Sequence, residues 1–452
     1  MLSTLLISNI ALAKDYQADQ GYSGAYNISK GKGITIAVID AGIWQEHPDL
    51  THSTWINQKE INQNGIDDDN NGYIDDYYGW NFIDNNSNMA PKENHATNIA
   101  GIIAAQPDNG IGVSGIAPEA KLMSLIACDK SGCSRDAVIK AIKYATDNGA
   151  KIINLSLGGR GYVGYGSEYD EAIKYAYSHD VVIVASAGNG DVSSLQQIGQ
   201  NLNFIKASPI CNEPDDINMI LGVGATKKNS NDKTSWSNYG DKYVDVWASG
   251  EDLTSTTVPL FSDGYGYETG LDGTSFSAPI ISASAAVLMS SNPKLKTYEI
   301  INLIKNTNPF NINTLLTNTI HTSPCSISYF YKEISNGETI LLNSKNLNSN
   351  IKYSLKNKTT NKTTNLDINN IEVLDANKFK INTSKLNLEE GTYILQTDNC
   401  QSEVSFSIKG APKITTSNSD IKTIKPFNQM TREELISFLL DFIAKKYGIS
   451  KS

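Results

Sequence analysis

Several residue types and patterns are scarce in this sequence of 452 residues. It has only five cysteines and no C-x-x-C motif, so zinc coordination by paired thiols and thioredoxin-type chemistry are unsupported. The 38 basic residues are outnumbered by 48 acidic ones, and the net charge of −10 argues against nucleic-acid partners and anionic membranes. No apolar run reaches the ~18 residues of a membrane span, so we expect no integral membrane segment.

Apolar residues make up 40% of the chain, which is enough for a sizeable core and excludes disorder for most of its length. Residues 1–13 form a short apolar run that ends in Ala-Leu-Ala, the small-residue pattern of a signal-peptide cleavage site. We therefore expect a signal peptide and a secreted, cell-surface or periplasmic protein. The alternative is an ordinary buried N-terminal segment.

Within a predicted domain of residues 14–311, residues 34–311 alternate short β-branched runs with helical patterns. The runs ITIAVI (34–39) and VVIVASA (181–187) are continuously apolar, and DAVIKAIKYATDNG (136–149) has apolar residues at helical spacing. Such strands, separated by helices, are typical of a parallel sheet with both faces covered. The sequence therefore predicts an α/β domain over this range.

The character of the sequence changes after about residue 311. Residues 325–409 contain period-2 runs separated by turn signals, which predicts a small all-β, sandwich-like domain. Residues 410–427 have the composition of a linker. Residues 428–448 include a threonine N-cap and apolar residues at helical spacing, which predicts an amphipathic C-terminal helix. This helix either packs against its neighbours or docks onto a partner or surface.

Three residues have the chemistry of a nucleophile, a base and an orienting carboxylate. His95 opens NHATNIAGIIAA (94–105), a helical segment whose small residues allow close packing and whose start can face a cleft. Asp40 ends the strand ITIAVID, and the carboxyl ends of parallel strands are where such folds place function. Ser275 lies at the start of a second small-residue helix. A hydroxyl nucleophile needs a base, and the base needs a carboxylate that fixes its tautomer.

Four blocks resemble the subtilisin-like serine proteases, the subtilase family, over about residues 30–310. They are AVIDAGI with HPDL (37–43, 47–50), HATNIAGIIAA (95–105), INLSLGG with ASAGN (153–159, 185–189) and GTSFSAP (273–279). The resemblance implies a subtilisin-like parallel sheet and a secreted serine endopeptidase whose partners are polypeptide substrates. We expect the protein to be a monomer.

The resemblance also implies a role for each matching residue. Ser275 would attack the scissile carbonyl and form an acyl-enzyme, His95 would carry the proton, and Asp40 would orient the imidazole. Asn189 would donate its side-chain amide to the oxyanion. One wall of the substrate cleft would be formed by Ser156, Leu157 and Gly158, which would pair with an extended peptide through their backbone.

The chain departs from the family pattern beside two triad members. Ala41 replaces the usual hydroxyl residue after the aspartate, and His95 is followed by Ala96-Thr97-Asn98 instead of Gly-Thr-His. These departures leave a second hypothesis open, a catalytically weak or inactive subtilisin-like protein that binds peptides or partners. A third hypothesis is a surface-attachment protein in which the β-domain and terminal helix matter most.

The acidic loop GIDDDNNGYIDD (65–76) predicts a structural calcium site. Its oxygen-bearing residues follow EF-hand-like spacing, although Tyr78 stands where a bidentate glutamate would belong. The candidate ligands are Asp67, Asp69, Asn71, Asp75 and Asp76. The alternative is a solvated acidic turn. The family resemblance implies a second calcium site at Asp49 and Asn109.

Two cysteine pairs could form disulfides in an oxidising compartment. Cys128 and Cys133 share the stretch CDKSGC, and Cys325 and Cys400 bracket the strand-rich segment, which leaves Cys211 over. The resemblance places the first pair on the rim of the cleft. The alternative is five unpaired thiols.

Overall fold

The computed structural model describes residues 22–409 with interruptions. The interruptions are residues 161–166, 191–197, 204–206, 209–210, 212–218, 260–265, 308, 319–325, 330–332, 336–338, 346–352, 359, 368–369, 376–377, 384–385, 387, 390 and 398–403. The predicted signal peptide (1–13), linker (410–427) and C-terminal helix (428–448) lie outside the described residues, as do Cys325 and Cys400.

The strands of the first part of the chain are short and mostly buried. They are β1 (Thr35–Asp40), β2 (Gly79–Asn81), β3 (Lys121–Ile126), β4 (Cys128–Asp129), β5 (Gly132–Cys133), β6 (Ile152–Leu155), β7 (Gly159–Arg160), β8 (Val182–Ser186), β9 (Ala207–Ser208), β10 (Ile220–Thr226), β11 (Val246–Ser249), β12 (Leu253–Thr256) and β13 (Tyr267–Leu271). Seven of them form the central sheet, in the spatial order β11-β10-β8-β6-β1-β3-β2. Every neighbouring pair in this sheet is parallel.

Helices cover both faces of this sheet. They are α1 (His95–Ala104), α2 (Arg135–Asp147), α3 (Ser167–Ser178), α4 (Thr274–Ser291), α5 (Thr297–Asn306) and α6 (Ile312–Asn318), with short 3-10 helices at Tyr22–Asn27 and Thr51–Ser53. Successive side chains of β1 point to opposite faces of the sheet and therefore belong to two hydrophobic cores. Ile36 and Val38 join the cluster that contains α1 and α4, whereas Ala37 and Ile39 join the cluster of α2 and α3. The predicted subtilisin-like α/β class is confirmed.

Helix α4 is the one described helix long and apolar enough to pass as a membrane span. In that 18-residue helix, 83% of the residues are buried inside the fold, and Ala278, Ile280 and Ala283 are fully buried. The helix packs against α1 on one side and against the central sheet on the other. Its apolar character is therefore that of a core helix.

The helical layer continues past the predicted boundary at residue 311. Ile312, Leu315 and Leu316 of α6 are buried in the same cluster as α4. The described helices therefore extend to Asn318, where the apolar periodicity ends.

Strands after residue 325 form two further sheets whose registered pairs are antiparallel. They are β14 (Ser326–Tyr329), β15 (Glu333–Ser335), β16 (Thr339–Lys345), β17 (Tyr353–Asn357), β18 (Thr363–Leu366), β19 (Ile371–Asp375), β20 (Lys378–Asn382), β21 (Gly391–Thr397) and β22 (Val404–Lys409). The sheet orders are β14-β16-β20-β19 and β15-β22-β21-β17-β18. Leu355, Ile381 and Leu395 are buried. The predicted all-β character of this region is confirmed.

Candidate active site

The order in which strands are added to the central sheet reverses between β1 and β6. After β1, the chain adds β2 and β3 on one side and then returns to place β6, β8, β10 and β11 on the other. The carboxyl ends of strands at such a switch point border a crevice. Asp40 ends β1, Ser156 follows β6, and Asn189 follows β8 by three residues. The sheet topology therefore brings these three residues to one edge.

Asp40 and His95 form a hydrogen-bonded pair at this edge. His95 Nδ1 lies 2.9 Å from Asp40 Oδ2 and 3.1 Å from Oδ1. The Asp40 residue is only 3% exposed, and its Oδ1 also accepts the backbone N–H of Ala41 at 2.7 Å. A carboxylate that accepts from Nδ1 fixes the proton on that nitrogen and leaves Nε2 as the base.

The charge of Asp40 changes the titration of His95. Burial by itself lowers the pKa of the imidazole, but the charge and hydrogen bond of Asp40, with the charge of Glu93, outweigh it. The pKa of His95 is therefore raised from its ordinary value of 6.5. The raised pKa indicates that the pair stabilises the imidazolium, which is the charge that a general base acquires.

A network of amides and a carboxylate holds the start of α1. Glu268 Oε2 accepts from Asn94 Nδ2 at 2.7 Å and from Asn98 Nδ2 at 3.2 Å. Asn98 Nδ2 also donates to the carbonyl of Thr256 at 2.9 Å. Because Asn94 immediately precedes His95, this network ties His95 to the β12–β13 hairpin. The side-chain nitrogen of Asn98, the asparagine that replaces the family's second histidine, thus donates to both Thr256 and Glu268.

Close packing of α1 against β12 explains its small residues. A Cβ added at Gly101 would come within 2.4 Å of the hydroxyl oxygens of Ser255 and Thr256. Glycine therefore lets the helix approach the hairpin closely enough for the Glu268 contacts to form.

Ser275 is the second residue of α4 and lies beside Ser156. Its Oγ donates to the Ser156 carbonyl at 3.2 Å, and Ser156 Oγ donates to the Ser275 carbonyl at 2.7 Å. In this structure the Ser275 hydroxyl therefore points to Ser156 instead of donating to His95. Catalytic hydrogen bonds often tighten only when substrate is bound, so this geometry is compatible with a nucleophile at rest.

Asn189 is oriented by the first residue of α4. Its Oδ1 accepts from the backbone N–H of Thr274 at 2.9 Å and from the Thr274 hydroxyl at 2.8 Å. These bonds occupy Oδ1, so Nδ2 is the atom of the amide that can donate to another group. Nδ2 lies 3.4 Å from the position that a Cβ at Gly273 would take. A fixed N–H donor beside the Ser275 backbone is the arrangement that an oxyanion needs.

These residues surround a cleft of about 400 Å³. Asp40, His95 and Ser275 line it together with Ser156, Leu157 and Gly158, the three residues predicted as a substrate wall. The cleft is also lined by the β4–β5 hairpin, where a disulfide joins Cys128 to Cys133. Further lining residues are Ala41, Glu93, Asp129, Gly132, Arg135, Val138 and Tyr169.

Sequence reasoning missed Glu93, Thr274 and Glu268. Thr274 stands inside the GTSFSAP block, so its orienting role could have been read from its position beside Ser275. Glu93 lies two residues before His95, so its charge could have been recognised from the sequence as one close to the imidazole. Glu268 is 174 residues from Asn94 along the chain, and no local pattern indicates that contact.

The acidic loop brings three carboxylates together. One oxygen from each of Glu60, Asp67 and Asp69 lies within 4.8 Å of the others. Glu60 is 4% exposed, and its Oε2 is buried with no hydrogen-bond partner among the described residues. Its Oε1 accepts the backbone N–H groups of Asp68 and Asp69 at 2.8 and 3.2 Å. An orphaned carboxylate oxygen beside two others fits a hard cation such as Ca²⁺.

The remaining predicted ligands of this loop make other contacts. Asp75 accepts the backbone N–H groups of Asn64 and Gly65. Asp76 is fully buried and accepts from Asn57, Asn71 and Tyr144. The Asn71 oxygen accepts the backbone N–H of Tyr73 at 2.8 Å. These contacts shape the loop around the Glu60–Asp67–Asp69 cluster.

Hydrogen-bond donors surround Asp49, the carboxylate of the second predicted calcium site. Asp49 Oδ1 accepts from Asn109 Nδ2, and Oδ2 accepts from the Tyr267 hydroxyl at 2.9 Å and the Val113 N–H at 3.3 Å. Burial raises the pKa of this carboxyl, and the three hydrogen bonds partly oppose that rise. Donors therefore occupy both oxygens of Asp49 in this structure, and Asn109 directs its nitrogen towards that carboxylate. Calcium binding at Asp49 and Asn109 stays a prediction.

Comparison with known proteins places this site in a family. The profile of the subtilase family, Peptidase_S8, matches residues 31–360, which is more than half of the chain. The chain belongs to the subtilase family, as the sequence blocks predicted.

Individual relatives agree with the family match. Thermitase of Thermoactinomyces vulgaris is 34% identical over 267 residues, covering 59% of this chain and 78% of thermitase. Subtilisin-like protease 1 of Plasmodium berghei (strain Anka) is 31% identical over 278 residues, covering 60% of this chain and 45% of that protein. The match thus spans less than half of the Plasmodium protease. A solved lanthipeptide protease shares the fold, with a TM-score of 0.55 at 22% identity, covering 70% of this chain and 97% of that one.

Proposed function

We propose that this protein is a serine endopeptidase that hydrolyses polypeptides through an acyl-enzyme. The observation that carries the proposal is the lining of one cleft by Asp40, His95 and Ser275. The hydrogen bond from His95 Nδ1 to Asp40 supports the role of Nε2 as the base. The alternatives of an unrelated α/β enzyme or a structural module would not require this set at a cleft.

The proposed reaction proceeds in two halves. Ser275 Oγ attacks the peptide carbonyl carbon while its proton passes to His95 Nε2, and the carbonyl π electrons move to the oxygen. The C–N bond then breaks, the amine leaves with the proton from His95, and Ser275 carries the acyl group. Water repeats the sequence with His95 as base and releases the acid. Asp40 stabilises the imidazolium in both halves.

The oxyanion formed in each half needs donors that are already in place. The orientation of Asn189 by Thr274 supports Nδ2 as one donor, and the Ser275 N–H at the start of α4 is the other. The positive end of the α4 helix dipole adds to the stabilisation. Such donors contribute chiefly to the transition state, because the negative oxygen does not exist in the bound substrate.

A catalytically inactive, peptide-binding protein is the second candidate. It is favoured by the Ser275 hydroxyl, which donates to Ser156 instead of His95. The two candidates differ in whether peptide bonds are broken, so hydrolysis separates them.

The test is hydrolysis of a quenched fluorescent peptide library by purified full-length protein. The Ser275→Ala and His95→Ala variants should lose activity on the order of 10⁴-fold or more. Ser290→Ala is the matched control, because Ser290 lies in the same helix and its hydroxyl bonds the Lys32 carbonyl. Undiminished hydrolysis by folded Ser275→Ala would refute the proposal.

We further propose that Ca²⁺ binds to Glu60, Asp67 and Asp69 and serves a structural role. The buried, unpartnered Oε2 of Glu60 supports this assignment over a solvated acidic turn. When bound, the cation would neutralise the mutual repulsion of the three carboxylates. No catalytic step depends on it.

We propose an extracellular location. A disulfide at Cys128–Cys133 persists only in an oxidising compartment, and the chain is 36% identical over 231 residues to the cell wall-associated protease of Bacillus subtilis (strain 168). That match covers 51% of this chain and 23% of the relative. The test compares the amounts of protein outside and inside the producing cells and maps the disulfide without reductant. Protein confined to the cell interior, with a free Cys128 thiol, would contradict the location.

A further inference from the structure

The charged residues that line the cleft are not balanced. Besides Asp40, which faces His95, the lining contains the carboxylates of Glu93 and Asp129 and the guanidinium of Arg135. Glu93 and Asp129 are both half-buried. Which of these charges remains available to a substrate depends on what each one already contacts.

Two cations near the cleft are matched within the protein, whereas Lys130, which follows Asp129, is exposed to solvent. Arg135 Nη2 lies 3.1 Å from Glu168 Oε2, and Nη1 lies 3.9 Å from Asp136 Oδ1. Lys92, the neighbour of Glu93, lies 2.6 Å from Asp84. These pairs hold both positive charges against carboxylates outside the cleft lining.

The two anions are not matched in this way. Glu93 has no hydrogen bond or ion pair among the described residues, and its interaction with His95 is one of charge at a distance. Asp129 Oδ1 accepts only the backbone N–H of Ser131, at 2.7 Å. Unpaired negative charges in a concave site produce a strong local electrostatic field, which attracts positively charged groups of a substrate.

We propose that Glu93 and Asp129 make the cleft select peptides with lysine or arginine N-terminal to the cleaved bond. This inference rests on the proposed endopeptidase function and names its substrate class. Because Glu93 lies two residues before His95, the proposal assigns it to the substrate residue nearer the scissile bond. It assigns Asp129, on the β4–β5 hairpin, to a residue farther upstream.

The size of the preference follows from the exposure of the two carboxylates. An ion pair at a partly solvated site contributes about 1 kcal/mol, which corresponds to about fivefold in kcat/KM or affinity. Because the interaction is between charges, it should weaken as salt rises.

The test uses matched fluorogenic peptides that carry lysine or acetyl-lysine at one of the four positions before the cleaved bond. The two side chains have the same stem, so their ratio of kcat/KM isolates the charge. We expect ratios of about five at two positions in the full-length protein. Glu93→Gln should abolish the ratio at the nearer position, and Asp129→Asn should abolish it at the farther one. Asp241→Asn, an exposed aspartate outside the cleft, is the control for net charge.

The same peptides bound to Ser275→Ala, measured by fluorescence anisotropy, give the ratio without catalysis. Ratios near one at all four positions, or ratios unchanged in both variants, would overturn the proposal while leaving a serine peptidase intact. A charge ratio in binding without hydrolysis or labelling of the wild-type protein would instead overturn the proposed peptidase function. The ratio of kcat/KM for the lysine and acetyl-lysine peptides is taken within each variant. An effect of Glu93 on the pKa of His95 changes both rates equally and so cancels in this ratio.

Discussion

Removing the charge of Glu60 should abolish the thermal stabilisation of this protein by calcium. The oxygens of Glu60, Asp67 and Asp69 lie within 4.8 Å of one another. Two unit charges at that separation repel each other by about 3 kcal/mol at an effective dielectric constant of 20. A cation bound among them turns this repulsion into ligation in the folded state only.

The magnitude follows from linkage. Calcium at a hundredfold excess over its dissociation constant stabilises the native state by about 2.7 kcal/mol. The unfolding entropy is about 2.1 cal/mol/K per residue, which gives about 0.6 kcal/mol/K for an α/β part of roughly 290 residues. Tm should therefore rise by about 4 °C. Glu60→Gln keeps an oxygen for the N–H groups of Asp68 and Asp69 but removes the charge.

The assay is a thermal melt in 1 mM calcium and in chelator, carried out on the Ser275→Ala background to prevent autolysis. Trp80 is 5.0 Å from Tyr73 of the loop, ring centre to ring centre, and its fluorescence provides a second signal. Asp75→Asn is the matched control, because Asp75 lies in the same loop but outside the Glu60–Asp67–Asp69 cluster. An equal calcium response in Glu60→Gln and its parent would refute the reasoning, as would identical melts of the parent in calcium and chelator.

Three further substitutions test the active site. Asn189→Ala should lower kcat by about 10²–10³ with little change in KM, and an effect on KM alone would refute its oxyanion role. Because Asp40 and Glu93 raise the pKa of His95, kcat/KM should fall as the pH is lowered, with a midpoint above 6.5. Glu93→Gln should move that midpoint to lower pH. An unchanged midpoint in this variant would contradict the charge effect assigned to Glu93. Glu268→Ala should lower kcat about tenfold at unchanged KM, with recovery in Glu268→Gln, because Asn94 loses its anchor; equal loss in both variants would indicate a different role.

The sequence predicted those parts of the site that are encoded locally. Asp40 and Ser156 lie at the carboxyl ends of adjacent strands, and a continuous apolar run indicates both the strand and its end. The small residues of α1 and α4 predicted close packing, and Gly101 shows the reason in its contact with Ser255 and Thr256. The class of fold follows from the same patterns.

Contacts between distant residues could not be predicted in this way. The EF-hand-like spacing indicated ligands inside residues 65–76, but the loop folds back so that Glu60 joins the cluster. The interaction of Glu268 with Asn94 depends on where the β12–β13 hairpin packs. The occupation of Asp49 by the Tyr267 hydroxyl likewise depends on a residue 218 positions away.

The central claim, that Ser275 is a nucleophile activated by His95, is tested most directly by covalent labelling. The purified full-length protein is treated with a fluorophosphonate, and the adduct is located by mass spectrometry of its peptides. We predict one adduct on Ser275, undiminished in Ser290→Ala and lost in both Ser275→Ala and His95→Ala. Folded wild-type protein that stays unlabelled, or label that persists in Ser275→Ala, would contradict the assignment.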